Sequence, residues 1–308
     1  MPRLLPDFKQ NKVVERRLPD WLRKNISIGQ EASRTDALLG SLGLNTICES
    51  GRCPNRNECY SQKTATFLIM GDVCTRHCAF CSVSSGQPQA LDPDEPRRLA
   101  EAVNALGLCH AVVTSVTRDD LEDEGAGHFV DVIKEIQKSS ADIIIEILTP
   151  DFRRTQKSAV GAIVGAGPDI FSHNVETVPS LYDHMRPQGD YEMSLRIFRE
   201  IKQASEGVLT KSGLMLGLGE TRQEVLQVLE DLRSAGCELL TLGQYLQSSG
   251  AGLPVREYVS PDVFLDYKKE ALAMGFSGVE SAPFVRSSFH AGESYKSLKA
   301  SLNICKHG

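Results

Sequence analysis

The cysteines are the residues of this chain whose spacing points most directly to chemistry. Six of the nine lie in two groups: Cys48, Cys53 and Cys59 in CESGRCPNRNEC, and Cys74, Cys78 and Cys81 in CTRHCAFC. Structural zinc sites are usually closed by four ligands, commonly as CxxC pairs. Three thiolates in one short loop instead suit an iron–sulfur cube, whose usual ligand is cysteine. CTRHCAFC therefore predicts a cube with one iron left open for a substrate or cofactor.

Length, composition and charge narrow the class of protein. The chain has 308 residues, of which 41% are hydrophobic and 24% charged, with a formal net charge of -6. That charge makes nucleic acid an unexpected partner, and no stretch approaches the ~20 apolar residues of a membrane span. The first 25 residues carry charge throughout and lack an apolar signal core. We expect a cytoplasmic chain, away from membranes, in which cysteines serve metal or catalytic chemistry.

From residue 65 onward, apolar runs alternate with amphipathic stretches. Continuous apolar or β-branched runs are typical of buried parallel strands, and they occupy 65–71, 110–117, 142–148, 169–176, 212–218 and 239–246. The clearest helical patterns are at 94–107, 221–236 and 261–275. Thr221 and Glu224 also form a capping-box signature. Six strand–helix repeats predict an α/β fold, either an open doubly wound sheet or a partial barrel.

In either architecture, catalysis sits at the C-terminal ends of the strands. CTRHCAFC follows the first predicted strand. The second to sixth predicted strands lead, in this order, into TRDDLEDEGAGH, TPDFRR, NVET, GLGET and QYLQSSG. The first 64 residues do not fit the repeat. We therefore expect three parts: an N-terminal extension over 1–64 with the first cysteine group, a barrel over 65–277, and a C-terminal segment over 278–308 that closes over the barrel mouth.

The cysteine loop after the first strand resembles the radical S-adenosylmethionine (SAM) superfamily, and the upstream cysteine group resembles the lipoyl synthase family within it. The matching segments run through most of the chain: RCPN, ATFLIMGDVCTRHCAFCSV, VVTSVTRDDLEDEGAGHF, HNVETV, SGLMLGLGET, LTLGQYLQ and PFVRSSFHAG. The resemblance implies a partial (β/α)6 barrel of the radical SAM type with N-terminal and C-terminal extensions. It also implies SAM and two [4Fe–4S] clusters as cofactors.

The resemblance further implies the ligands of both clusters. The radical cluster, which binds SAM at its open iron, would be held by Cys74, Cys78 and Cys81. The auxiliary cluster would be held by Cys48, Cys53, Cys59 and the serine oxygen of Ser288. The four catalytic residues would be Cys74, Cys78, Cys81 and Ser288. Here the family's RSSY motif ends in Phe289, which removes a phenol but leaves both serines. The segments ESG and SSG (248–250) also depart from the family, away from any ligand.

Weaker candidates follow the strands. Asn174 and Glu176 can hold the SAM ribose or the substrate amide, or merely cap a strand end. Gly217 and Gly219 in GLGET can bind an anionic group of SAM at a helix N-terminus, or form only a tight turn. Arg286, beside Ser288, can neutralise cluster charge or gate the serine.

Two further loop features are predicted to be peripheral. Half or more of the acidic run after Arg118, including Asp119 and Asp120, is expected to be a solvated loop face. His77 is not at a ligand spacing.

The implied reaction is insertion of two sulfur atoms at C6 and C8 of a protein-bound octanoyl-lysine, with sulfur from the auxiliary cluster. Implied partners are octanoylated lipoyl carrier domains (2-oxoacid dehydrogenase E2 subunits and the glycine cleavage H protein), a ferredoxin or flavodoxin reductant, and an iron–sulfur carrier for cluster repair. Two alternatives remain: another radical SAM sulfur-inserting enzyme, of the biotin synthase or methylthiotransferase type, and a non-enzymatic two-cluster electron carrier.

Overall fold

One mostly parallel sheet organises the chain. The computed structural model describes residues 17–23, 30–61, 65–140, 142–247 and 252–288. Its strands are β1 (Asn45–Thr46), β2 (Thr66–Ile69), β3 (Val73–Cys74), β4 (Ser84–Ser85), β5 (His110–Ser115), β6 (Ile144–Leu148), β7 (Ile170–Ser172), β8 (Leu209–Leu216), β9 (Leu239–Gln244) and β10 (Gly278–Ser281). The sheet order is β1-β2-β5-β6-β7-β8-β9-β10, and β3 pairs with β4 separately. Only the β1–β2 pair is antiparallel within the large sheet.

Helices connect successive strands. They are α1 (Gln30–Ser41), α2 (Ile47–Ser50), α3 (Arg56–Ser61), α4 (Glu95–Leu106), α5 (Ala126–Ser139), α6 (Gln156–Gly165), α7 (Tyr182–Met185), α8 (Tyr191–Ala204), α9 (Arg222–Ser234) and α10 (Pro261–Ala273), with 3-10 turns at Asp20–Leu22 and Pro179–Leu181. The predicted capping box of α9 is present, with Thr221 and Glu224 bonded reciprocally. Within the described residues, no helix has the length and apolar character needed to cross a bilayer.

The predicted fold is confirmed as a mixed α/β structure whose mostly parallel sheet is an open, partial barrel. All six predicted strands are present, but β8 begins at Leu209 rather than at 212. The strand predicted over 169–176 shortens to β7, because the polar residues that follow turn into the site. β10 is a seventh parallel strand that the sequence did not predict. The division into three parts stays a prediction, although β1 and β10 form the two sheet edges.

Alternate residues of each strand point into the barrel. At the bottom, Ile144, Ile170 and Leu239 form a small apolar cluster with Leu209, separate from the main core between sheet and helices. Above it lies a buried ionic layer. Glu146 Oε1 accepts hydrogen bonds from Lys211 Nζ and Ser172 Oγ, each at 2.9 Å. The next residues up these strands line cavities, so this closed floor supports the site.

Charge pairing in the floor should control acid stability. Burial raises the pKa of Glu146, but the charge of Lys211 and the contact with His110 outweigh it and lower that pKa to about 2. Because this pKa is lowered in the folded chain, the Glu146 carboxylate stabilises the fold to its full extent at pH values above its ordinary pKa of 4.5. The stabilisation is lost as the pH falls toward 2. Its size is roughly 3 kcal/mol, at about 1.4 kcal/mol per pKa unit.

Lys211→Met should therefore lower the free energy of unfolding by about 3–5 kcal/mol at neutral pH, because it leaves Glu146 buried without its cation. Urea unfolding of the metal-free chain measures this loss. The double variant Glu146→Leu/Lys211→Met is the control, and it should be more stable than Lys211→Met, since it buries no unpaired charge. A single variant as stable as the wild type would contradict the prediction.

Candidate functional site

The CTRHCAFC loop leaves the sheet after β2 and is held by backbone groups on several sides. The Cys74 Sγ accepts hydrogen bonds from the N–H groups of Arg76 (3.4 Å) and Thr117 (3.3 Å). The Cys81 Sγ accepts one from Val83 N–H at 3.4 Å. Burial raises the pKa of the Cys81 thiol, and the bond from Val83 N–H opposes that rise. Hydrogen bonds to sulfur are also a feature of iron–sulfur sites. The loop therefore presents its sulfur atoms in surroundings suited to metal ligation.

Three neighbouring cavities share walls at this end of the sheet. The first, about 160 Å³, is lined among others by Cys74, Cys78, Cys81, Asn174, Glu176 and Arg186. The second, about 260 Å³, is lined among others by Cys81, Glu176, Gly213, Met215 and Arg286. The third, about 270 Å³, is lined among others by Cys48, Cys53, Arg286, Ser287 and Ser288. Ile47 and Phe80 line all three, so the two cysteine groups face connected spaces.

A buried ion network supports the first cavity. Asp151 is fully buried and bonds the guanidinium of Arg76, from the cysteine loop, and that of Arg186 at 2.5 Å. Arg76 also holds Asp119 through two bonds of 2.8 Å. Burial raises the pKa of Asp151, but the charges of Arg186, His173 and Arg76 outweigh it and lower that pKa. The network ties the cysteine loop to the loops after β5, β6 and β7.

Asn174 and Glu176 line the first cavity together with the cysteine loop, and their role in binding stays a prediction. Asn174 Nδ2 donates to Glu176 Oε1 at 3.1 Å, while the buried Asn174 Oδ1 has no hydrogen-bond partner among the described groups. Glu176 adopts a left-handed backbone with φ +68°, a costly conformation that concentrates at functional sites. Burial raises the pKa of its carboxyl, against the lowering effect of Arg186. Both residues line the first and second cavities together with Cys81.

The GLGE turn is arranged differently. The Glu220 carboxylate accepts hydrogen bonds from the N–H groups of Gly217 (2.5 Å) and Leu218 (2.9 Å). Gly217 and Gly219, with φ of +96° and +112°, line none of the three cavities. In the structure the turn is therefore completed by its own carboxylate.

Several charged side chains of the loop after β5 form ion pairs within the protein. Arg118 is buried and pairs with Asp120 at 2.8 Å. Glu122 and Asp123 are exposed, in line with a partly solvated face. His77 is exposed and lines none of the three cavities. Cys237 is buried as a small apolar residue, whereas Cys109 is exposed.

Two cysteines of the upstream group line the third cavity. Cys48 lies in α2 and is buried, Cys53 follows in the next turn, and Cys59 lies in α3, outside the lining of that cavity. The Asn55 side chain, 1% exposed, donates to the Phe284 carbonyl at 2.7 Å. This bond joins the upstream loop to the segment that carries Ser288.

Ser288 reaches the same cavity from the far end of the described chain. Its Oγ accepts a hydrogen bond of 2.8 Å from Thr66 Oγ1 at the start of β2. Thr66 also contacts Cys48: burial raises the pKa of that thiol, while the backbone N–H and hydroxyl of Thr66 lower it. Phe289, residues 248–250 and everything after 288 lie outside the described residues.

The RSS segment is seated tightly. A Cβ added at Gly243 would overlap the carbonyl oxygen of Val285, so β9 must carry glycine there. Arg286 donates to the Val285 carbonyl at 2.7 Å, and no carboxylate pairs with it in the described part of the chain. Burial lowers the pKa of its guanidinium, against the raising effect of Cys53. A buried cation facing thiols favours an anionic group between them.

The donor sets fit iron–sulfur cubes. In the described residues, no three His, Cys, Asp or Glu side chains converge tightly enough to hold one metal ion. Thiolates of a cube each bind a different iron and so stay apart. The cysteines of both groups form no disulfide within the described residues, and two members of the upstream group and all three of the downstream group line cavities. The arrangement suits clusters better than zinc.

Sequence reasoning missed four residues of this site: Asn55, Thr66, Asp151 and Arg186. The position of TPDFRR after a strand is a signal that could have found Asp151. RCPN contains Asn55, but nothing local indicates its partner. Thr66 and Arg186 carry no pattern of their own, because their contacts join distant parts of the chain.

An open parallel barrel with three cysteines in the loop after its first parallel strand defines the class of radical SAM enzymes. The sequence model of the radical SAM superfamily matches residues 68–232, and that of the N-terminal domain of lipoyl synthase matches residues 5–53. Solved structures of similar fold include methylornithine synthase (PylB), with TM-score 0.52 and 14% identity over 91% of this chain and 96% of that one. Another is SuiB from Streptococcus suis bound to S-adenosylmethionine, with TM-score 0.56 and 10% identity over 70% of this chain and 49% of that one.

Curated relatives specify the family. A lipoyl synthase of Caldicellulosiruptor saccharolyticus is 51% identical over 92% of this chain and 99% of the relative. One from Alkaliphilus metalliredigens is 49% identical over 90% of this chain and 96% of the relative. The chain belongs to the lipoyl synthase family of radical SAM enzymes, whose cofactors are SAM and two [4Fe–4S] clusters.

Proposed function

We propose that this chain inserts two sulfur atoms, at C6 and C8, into an octanoyl group carried on a lysine of a lipoyl carrier domain. The observation that carries the proposal is that two cysteine groups, each with its own cavity, face a shared space. One side supplies the radical and the other supplies the sulfur. An electron carrier would not need a connecting cavity between its clusters.

Cavity lining supports six of the seven proposed ligands, and Cys59 is assigned with them because it belongs to the upstream cysteine group. Cys74, Cys78 and Cys81 hold the radical cluster, and Cys48, Cys53, Cys59 and Ser288 hold the auxiliary one. Arg286 supplies a buried positive charge beside the auxiliary cluster, which carries net negative charge with these ligands. A serine oxygen is a harder ligand than thiolate, so its iron is the easier one to lose. This lability suits a cluster that is itself a substrate.

The SAM contacts are assigned to three groups around the first cavity. Arg186 offers a cation held in place by Asp151, and it suits the SAM carboxylate. The unpartnered Asn174 Oδ1 and the Glu176 carboxylate suit donors such as an amino group or ribose hydroxyls. Gly217 and Gly219 remain a weaker proposal, since Glu220 already accepts from the Gly217 N–H.

Cleaving an unactivated C–H bond requires the radical that SAM and its cluster supply when bound. The chain's own residues position the reactants and exclude water. The apolar floor and the ionic layer of Glu146 and Lys211 close the barrel from below. Ile47 and Phe80, which border all three cavities, form an apolar surface where an alkyl chain can lie between the two clusters. Water exclusion protects the radical from side reactions.

The partners follow from the same chemistry. The carriers are octanoylated lipoyl domains, as in 2-oxoacid dehydrogenase E2 subunits and the glycine cleavage H protein. A ferredoxin or flavodoxin delivers electrons, and an iron–sulfur carrier rebuilds the auxiliary cluster. We place the chain in the cytoplasm.

The test is anaerobic reconstitution, followed by incubation with SAM, a reductant and an octanoyl-lysine peptide. Mass spectrometry should show two added sulfur atoms on the peptide. A peptide that gains none while SAM is cleaved would contradict the assigned reaction. Conversion of a biotin precursor, or formation of a methylthiolated product, would instead place the chain with the alternative sulfur-inserting enzymes.

Iron content tests the two-cluster assignment separately. Two cubes predict about eight irons and eight sulfides per chain. The Cys48→Ala/Cys53→Ala/Cys59→Ala variant should keep about four, because the downstream loop does not depend on those thiols. Iron and sulfide analysis after anaerobic reconstitution measures both values. Four irons in the folded wild-type chain would rule out the auxiliary cluster.

Asp151→Asn should weaken SAM binding strongly. The amide keeps the shape but removes the anion shared by Arg76 and Arg186. Breaking a buried ion pair in this way destabilises a fold by about 3–5 kcal/mol, and here it leaves Arg186 without the partner that positions it for SAM. Equilibrium binding of SAM to the reconstituted chain measures the effect. Asp119→Asn is the matched control, and it should cost less, because Asp119 is 30% exposed and bonds only Arg76 of the two arginines. Equal effects would contradict the central role of Asp151.

A further inference from the structure

We propose that Thr66 is a positioning residue for the removable ligand of the auxiliary cluster: its hydroxyl holds the Ser288 oxygen toward the cluster and so sets how readily the fourth iron is lost. The inference rests on the proposed function, in which Ser288 is that ligand.

The first argument is geometric. Thr66 is 3% exposed and opens β2, next to the antiparallel edge strand that leads into α2 and Cys48. Its hydroxyl is 2.8 Å from Ser288 Oγ. A residue on the rigid sheet therefore touches two ligands, Cys48 and Ser288, that lie at opposite ends of the described chain. Within the described residues, Thr66 is the one side-chain hydrogen-bond partner of Ser288.

The second argument concerns the direction of the hydrogen bond. A serine hydroxyl has one proton and two lone pairs. When the oxygen binds iron, the serine proton is gone, so Thr66 is the donor of this bond. The single Thr66 hydroxyl proton then goes to Ser288, and Cys48 keeps the bond from the Thr66 backbone N–H. The contact is therefore compatible with ligation, and it becomes stronger because its acceptor carries negative charge.

The third argument concerns the backbone of the RSS segment. Asn55 donates a hydrogen bond to the Phe284 carbonyl. Because Gly243 has no Cβ, the Val285 carbonyl can pack closely against β9. These contacts anchor the backbone three and four residues before Ser288, and they do not restrain the Ser288 side chain. Three staggered rotamers are available to a serine. The Thr66 hydroxyl selects the one that reaches the Cys48 side of the cavity.

The experiment uses reconstituted holoenzyme with saturating SAM, which protects the open iron of the radical cluster. A ferrous-iron chelator is added, and released iron and the electron paramagnetic resonance signal of a three-iron cluster are followed over time. The variants are Thr66→Val, Thr66→Ser, Ser288→Ala and Thr210→Val. Thr210 is a matched control, because it is a fully buried strand threonine whose hydroxyl bonds the Gly236 carbonyl, and it lines none of the three cavities that hold the two cysteine groups.

Thr66→Val should release the first iron about fivefold faster than the wild type, the effect of losing one net hydrogen bond. Thr66→Ser restores the hydroxyl and should match the wild type, as should Thr210→Val. Ser288→Ala should be the fastest. A Thr66→Val chain that retains about four irons, while Thr66→Ser retains about eight, would also support the proposal.

Two results separate its failure from that of the ligand assignment. If Ser288→Ala loses iron quickly but Thr66→Val matches the wild type, the role of Thr66 is wrong and Ser288 remains the ligand. If Ser288→Ala releases iron at the wild-type rate, Ser288 is not a cluster ligand. The ligand assignment in the proposed function would then be wrong at the fourth position of the auxiliary cluster. If Thr66→Val and Thr66→Ser both lose iron faster than the wild type and at the same rate, Thr66 has a packing role. That result would overturn the inference.

Discussion

A Cys53→Ala chain will cleave SAM but insert no sulfur, whereas a Cys78→Ala chain will do neither. Cys53 lines the cavity beside Ser288, and Cys78 lines the one beside Arg186 and Asn174. The two thiols belong to separate loops that are held by separate contacts, so losing one leaves the other group intact. We expect the loss of lipoyl product to be near complete in both variants.

Two assays on the same reconstituted samples measure the outcome: 5′-deoxyadenosine for SAM cleavage, and mass spectrometry of the octanoyl-lysine peptide for sulfur insertion. Cys109→Ala is the control, since Cys109 is exposed and lies outside both groups. It should behave as the wild type in both assays. Lipoyl product from a Cys53→Ala chain that lacks the second cluster would refute the division of roles.

Both sulfur atoms of the product will come from the auxiliary cluster, and turnover will stop near one lipoyl group per chain. The structural reason lies in the ligands. Ser288 holds its iron through an oxygen, and only a single contact from Thr66 restrains that side chain among those described. Removing sulfide from the cluster should release this iron first.

Reconstitution with ³⁴S-sulfide, removal of free sulfide and reaction in unlabelled buffer test this directly. Both product sulfurs should be heavy, and iron should appear in solution as the reaction proceeds. Adding an iron–sulfur carrier should restore further turnovers. Light sulfur in the product, or repeated turnovers without a carrier, would mean that the cluster is not the donor and that Ser288 needs another explanation.

Local patterns were enough to predict most of the fold. The six parallel strands carry continuous apolar runs, and α9 carries its capping box in four residues. β10 escaped prediction because Gly278–Ser281 contains only one buried apolar side chain, Val279, and pairs at a sheet edge. The predicted strand over 169–176 was too long, because β7 ends at Ser172, where the polar residues His173 and Asn174 begin the loop that lines the site.

The site was predictable only where its residues form a motif. The cysteines and Asn174 stand in short segments after strands, so position along the chain indicated them. Asp151 acts through Arg76 and Arg186, and Thr66 acts through Ser288. These partners are far away in the sequence. A long-range hydrogen bond leaves no periodicity or spacing in the sequence. Such contacts become visible only when the fold brings their partners together.

The close approach of β9 to the RSS segment gives a criterion for interpreting the sequences of distant relatives. At Gly243, any side chain would collide with the Val285 carbonyl. A homologue may keep both cysteine groups and both serines yet carry alanine at this position. Its C-terminal segment could not then seat as it does here. Genome annotation of new family members should therefore require this glycine, together with the cysteines, before assigning a complete sulfur-donating centre.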